Sequence, residues 1–145
     1  MALKVSINSY ELPGEGIQPA VLADVVDLGI QDTNFGKKDR VRFVYLLNET
    51  DAKGEPKRAF QTFTKSLNEK ASLRKTLTQF GQKFESGVEV DLESYVGKQV
   101  TLVIAIEDGT DGKKYVKILS IMKAAAGQNV NIPETFTRNK DRVNA

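Results

Sequence analysis

Two runs dense in β-branched and aromatic residues, RVRFVYLLN at 40–48 and KRAFQTFTK at 57–65, flank a turn-forming segment, DAKGEP at 51–56. Valine, phenylalanine, tyrosine and threonine suit a pleated, half-buried surface, and the glycine and proline between the runs turn the chain back on itself. Side chains alternate across a strand, so the first run divides into Arg40, Arg42, Val44 and Leu46 on one face and Val41, Phe43, Tyr45 and Leu47 on the other. The second set is the apolar one and marks the core face. The fold is therefore organised around a sheet.

On the N-terminal side, an alternating segment (Leu3, Val5, Ile7) ends at the turn formers PGEG at 13–16. The segment QPAVLADVVDLGIQ at 18–31 has a periodicity that a helix would also satisfy; its β-branched content and flanking Pro19 and Gly29 favour a strand, bulged or bent at the glycine. DTNFGKK at 32–38 reads as the hairpin turn joining it to the 40–48 strand. After the 57–65 strand the period changes. In SLNEKASLRKTLTQF, Leu73, Leu77 and Phe80 recur at i, i+4 and i+7, predicting a helix of about three turns. Ser66 or Asn68 is placed to cap its start and Gly81 to end it. Residues 82–99 predict a strand-like link with a short helical turn, and KQVTLVIAIED and YVKILSIMK predict two more strands around a tight turn.

The order is three strands, a helix, then two strands. That order matches a five-stranded OB-type Greek-key barrel, all-β with one helix between strands 3 and 4, although other small α+β sheets share it. The expected organisation is an N-terminal arm over 1–16, the barrel domain over 17–123, and a mobile tail or docking arm over 124–145. In that last piece Val130, Ile132 and Phe136 are the residues able to pack on a neighbour.

At 145 residues the chain can bury a core without cross-links, and it has neither cysteine nor histidine. Catalytic triads, cysteine nucleophiles and cysteine- or histidine-based zinc sites are thereby excluded, so no enzyme, cofactor or metal is expected. The carboxylates Glu85, Glu89, Asp91 and Glu93, or Glu107, Asp108 and Asp111, fit neither an EF-hand nor a two-metal spacing and read as solvated turns. Apolar runs such as VTLVIAI are too short to span a bilayer and the first residues lack a signal-peptide core, which points to a cytoplasmic protein without a membrane partner. The net charge is only +2, but residues 37–75 hold eleven basic and five acidic side chains. A basic surface of this kind suits an anionic partner.

The blocks ADVVDLG (23–29), KDRVRFVYLL (38–47), FTKSLNEKASLRKTL (63–77), YVGKQVTLVI (95–104) and GKKYVKILSI (112–121) together resemble a group of small phage and prophage proteins regarded as single-stranded DNA-binding proteins of OB fold. The resemblance covers roughly residues 16–122, and SLNEKASLRK is its sharpest element. It implies a non-enzymatic module coating single-stranded DNA with little sequence preference in phage replication or recombination, in the host cytoplasm. It also implies that Lys65, Lys70 and Arg74 help clamp the nucleic-acid backbone, where the plain alternative is an exposed helix face.

Single strands are held by cations that follow phosphates and by rings on which bases stack. The candidates are Lys37, Lys38, Arg40, Arg42, Arg58 and Lys65 with the rings Tyr45 and Phe60, extended by Lys114, Tyr115 and Lys117 of the last strand. Tyr45 is chosen because its hydroxyl suits a wet edge, and Phe60 because it alternates with Arg58, Thr62 and Thr64. Most rings in a small barrel are core, and single strand arginines often only protect an edge. RNA is an open alternative ligand, as is a virion or assembly role in which the basic face meets an acidic subunit; a magnesium-dependent nuclease is a further rival. The 123–145 stretch has four basic and two acidic residues, so partner recruitment through an acidic tip is not expected. Rather than recruiting partners, it is expected to supplement DNA binding or to form a homodimer by lying across a second subunit.

Overall fold

A computed structural model describes residues 12–34, 36–68, 71–84, 89–134, 136 and 138. The β-rich runs become five strands, β1 (Gly16–Thr33), β2 (Gly36–Thr50), β3 (Pro56–Thr64), β4 (Gln99–Asp108) and β5 (Lys114–Lys123). One helix, α1 (Ser72–Gln79), follows β3, and a 3-10 turn at Leu92–Tyr95 precedes β4. The strands form a single sheet in the order β3-β2-β1-β4-β5, with every pairing antiparallel.

β1 is long because it serves two partners. Gly16 to Val21 pair with β4, while Ala20 to Thr33 pair with β2. The ladder to β2 shifts register between Leu22 and Asp24 and again between Asp27 and Gly29. The second shift is the bulge expected at Gly29. That residue takes φ +69° and donates its N–H to Asp27 Oδ1 at 2.9 Å, a conformation that favours glycine. Both extra residues lie in β1, so β2 keeps strict alternation and its two faces remain those read from the sequence.

Val41, Phe43, Tyr45 and Leu47 of β2 all face the core, joined by Ala59 and Phe63 of β3, Leu22 of β1 and Leu102 and Ile104 of β4. Phe43 sits edge-on to Phe63 with ring centres 5.0 Å apart and stacks on Phe80 at 6.2 Å. Leu73, Leu77 and Phe80 present the apolar stripe of α1 to this cluster, as their spacing predicts.

The helix begins later than its sequence suggests. Ala71 is the N-cap and no side chain caps it; Ser66 Oγ instead accepts the Asn68 N–H in the turn before. Its C-terminal end is the expected one. Gly81, at φ +94°, donates to Thr78 O, and Gln82 donates to Leu77 O, the paired bonds of a Schellman motif.

β3 and β5, the two ends of the sheet, approach one another with α1 packed against both. Ends of a five-stranded sheet meet only if the sheet curls. No β3–β5 ladder forms among the described residues, so the sheet is not closed into the expected barrel. At this opening Gln61, α1 and Ile118 to Ile121 line a shallow cleft of about 200 Å³.

The described part of the C-terminal segment docks on its own chain. Val130 is buried with Val21, Ala23 and Leu46 on the outer face of the sheet, and Phe136 packs against that cluster. Gln128 Nε2 donates to Val100 O at 2.8 Å, and Gln99 and Val130 exchange two hydrogen bonds of 2.8 and 2.9 Å. No helix is long and apolar enough to cross a membrane among the described residues.

Candidate nucleic-acid interface

Alternation along β2 places Lys38, Arg40 and Arg42 on the face opposite the core, at intervals of about 7 Å. The β2–β3 register sets Thr64 beside Arg40, Thr62 beside Arg42, Phe60 beside Val44 and Arg58 beside Leu46. Directly paired residues share a face, so cations, hydroxyls and one ring form two adjacent rows. Phe60 is 44% exposed, and the Arg42 guanidinium lies 5.9 Å from the centre of its ring. Arg42 Nε also reaches Thr62 Oγ1 at 3.4 Å. Lys38, Arg40 and Arg42 have no ion-pair partner among the described residues. Cations spaced along a strand beside an exposed ring supply the two contacts a single strand needs.

The remaining candidates are placed elsewhere. Tyr45 is 0% exposed, so its ring offers no platform for a base. It shares the parity of Phe43 and Leu47, and only its hydroxyl reaches the edge of the core, 3.4 Å from Gln61 Oε1. Burial pushes its phenol well above the usual tyrosine range.

Lys37 lies on the face opposite Arg40 and pairs with Asp32 at 3.5 Å, both side chains exposed. Lys65 contacts Asp27 at 2.8 Å and Asp39 at 3.4 Å. The hydrogen bond from Lys65, helped by the Gly29 N–H, holds the Asp27 carboxyl below its ordinary value, and Asp27 in turn raises the Lys65 ammonium. The Lys65 charge is therefore already answered within the fold.

Arg74 projects from α1 over the Phe84 ring at 4.6 Å and donates to Leu67 O at 3.1 Å. Lys70 lies outside the described residues. On β5, separated from β2 in sheet order by β1 and β4, Lys114 pairs with Asp108 at 2.5 Å and Lys117 with Glu107 at 3.6 Å. Tyr115 is half exposed, and its hydroxyl donates to Asp111 Oδ2 at 2.5 Å, which holds that carboxyl low and the phenol high. The fold thus gathers Lys38, Arg40, Arg42, Arg58 and Phe60 and leaves the other candidates apart.

One part of this surface escapes sequence reading. Phe136 packs beneath Arg58, whose guanidinium is 5.2 Å from the ring centre. Arg138 Nε donates to Asp24 Oδ1 at 2.8 Å, and its terminal nitrogen to Glu93 Oε2 at 2.6 Å. Those two carboxylates, foremost Glu93, which accepts the hydrogen bond, raise the Arg138 guanidinium above its ordinary value. The only signal in the sequence was the apolar trio Val130, Ile132 and Phe136 within a polar segment. Compared with known proteins, the chain matches no family model and no curated protein.

Proposed function

We propose that the protein is a non-enzymatic module that binds single-stranded DNA, with little sequence preference, across the outer face of β2 and β3. The single observation carrying this reading is the row Lys38, Arg40 and Arg42, without acidic partners among the described residues, beside the half-exposed Phe60. Phosphates follow the cations and a base stacks on the ring; neither contact reads base identity.

An open OB-type barrel is the architecture this reading assigns to the sheet. The strand order, the helix after β3 and its position at the β3–β5 opening support it, and such barrels bind oligonucleotides on the strand 2–3 face. The resemblance to phage single-stranded DNA-binding proteins supports a role in replication or recombination. The test is fluorescence anisotropy with labelled oligo-dT, oligo-U and a matched duplex at low and moderate salt. Salt-sensitive binding to oligo-dT with weak duplex binding is expected, and comparison with oligo-U decides the sugar. Absence of binding to all three at low salt overturns the reading in favour of an acidic protein partner in an assembly role.

A further inference from the structure

The C-terminal arm is anchored on the same sheet face as the cation row. Across that face Asp24 of β1, Val44 of β2 and Phe60 of β3 form one cross-strand row, and Val21, Leu46 and Arg58 form the next. Val130 and Phe136 cover Leu46 in the second row, and Arg138 reaches Asp24 in the first. The described part of the arm therefore reaches the row that holds Phe60.

Two physical consequences follow. Asp24 is only 3% exposed, and its carboxylate lies on the same face as the cation row, where it would repel phosphate. Arg138, shared with Glu93, offsets part of that charge and donates to one of its oxygens. The arm also supplies a second ring: Phe136 under Arg58 repeats the pairing of Phe60 with Arg42, one residue pair further along β3. A guanidinium seated on a ring is restrained and presents its edge to an anion.

Resting on the single-strand reading above, we propose that the docked arm is a wall of the nucleic-acid site. Phe136 positions Arg58 as a further phosphate contact, and Arg138 lessens the repulsion of Asp24. The site then runs from Lys38 through Arg42 and Phe60 to Arg58, and the arm stays in place when the strand binds.

The test measures oligo-dT affinity at low and moderate salt for the full chain and four variants, with thermal unfolding as the folding control. Phe136→Leu keeps the apolar contact but loses the ring, and is expected to weaken binding about threefold, with Phe136→Tyr restoring it. Arg138→Ala is expected to weaken binding roughly fivefold at low salt and less at moderate salt, because a cation is lost beside Asp24 and Glu93 and salt screens their repulsion of phosphate. Asp24→Asn combined with Arg138→Ala is expected to regain most of that loss. A purely structural arm would instead shift the melting temperature and leave affinity and salt dependence unchanged. Unchanged affinity in folded Phe136→Leu and Arg138→Ala overturns the inference. Tighter binding by either overturns it too, since the arm would then be a competitor. If the unaltered chain binds no oligo-dT at all, the underlying reading falls and this inference with it.

Discussion

Arg42 on β2 and Phe60 on β3 meet across the ladder, with the guanidinium 5.9 Å from the ring centre of a phenylalanine that is 44% exposed. On the proposed reading Arg42 meets phosphate and Phe60 meets a base, so their loss is distinguishable. Phe60→Ala is expected to lower oligo-dT affinity by roughly 1–3 kcal/mol while leaving the salt dependence nearly intact. Arg42→Ala is expected to flatten the slope of log affinity against log salt by about 0.7, the value of one released counterion on a single strand. Anisotropy titrations over a salt series check both.

Tyr45 gives the opposite pattern. Its ring fills the core, so Tyr45→Ala is expected to destabilise the fold by about 3–5 kcal/mol in denaturant unfolding. Tyr45→Phe removes only a 3.4 Å hydroxyl contact and should leave oligo-dT affinity unchanged. Because burial raises the folded phenol, its contribution is intact below about pH 10 and is lost as pH rises above that, when the unfolded chain ionises first. Tyr45→Phe should accordingly unfold less readily at alkaline pH than the unaltered chain.

These two residues also mark how far the sequence could be read. The five strands, the bulge at Gly29, the α1 stripe and its glycine stop were legible because each rests on a local period or a single backbone requirement. The parity of β2 was legible as well, and it placed Tyr45 inward; the chemical appeal of an exposed hydroxyl pointed the other way, and the alternation prevailed. Which cations stay available was not legible. Lys65 finds Asp27 and Asp39, and Arg138 finds Asp24, across separations that only the folded sheet closes. The helix start was missed because the serine and asparagine upstream serve a preceding turn, while Ala71 caps α1 without a side-chain bond.

Glu49 ties the entry of β1 to the end of β2. Its carboxylate accepts the Gly14 N–H at 2.8 Å, the Lys57 ammonium at 2.7 Å and the Gln18 amide at 3.0 Å. The Gly14 bond, followed by Lys57, holds its pKa below the ordinary glutamate value. A depressed folded pKa contributes stability above about pH 4 and loses it as pH falls through the folded value. The melting temperature of the unaltered chain should therefore fall more steeply below pH 4 than that of Glu49→Gln.

Gly109 opens the β4–β5 turn directly against the Tyr115 ring, where an added Cβ would collide with the ring edge and crowd Asp111. Gly109→Ala is expected to cost roughly 1–3 kcal/mol by overpacking. Removing the ring by Tyr115→Ala in the same background should recover much of it. Thermal unfolding of the single and double variants checks the coupling.

The proposed site occupies the outer face of β2 and β3, and amide chemical-shift mapping during an oligo-dT titration reads that location residue by residue. Shifts are expected to concentrate at Lys38 to Val44 of β2 and Arg58 to Thr64 of β3, with α1 and the β4–β5 turn little affected. Shifts confined to α1 or to the Lys114–Lys117 end of β5, with β2 and β3 unmoved, would contradict it.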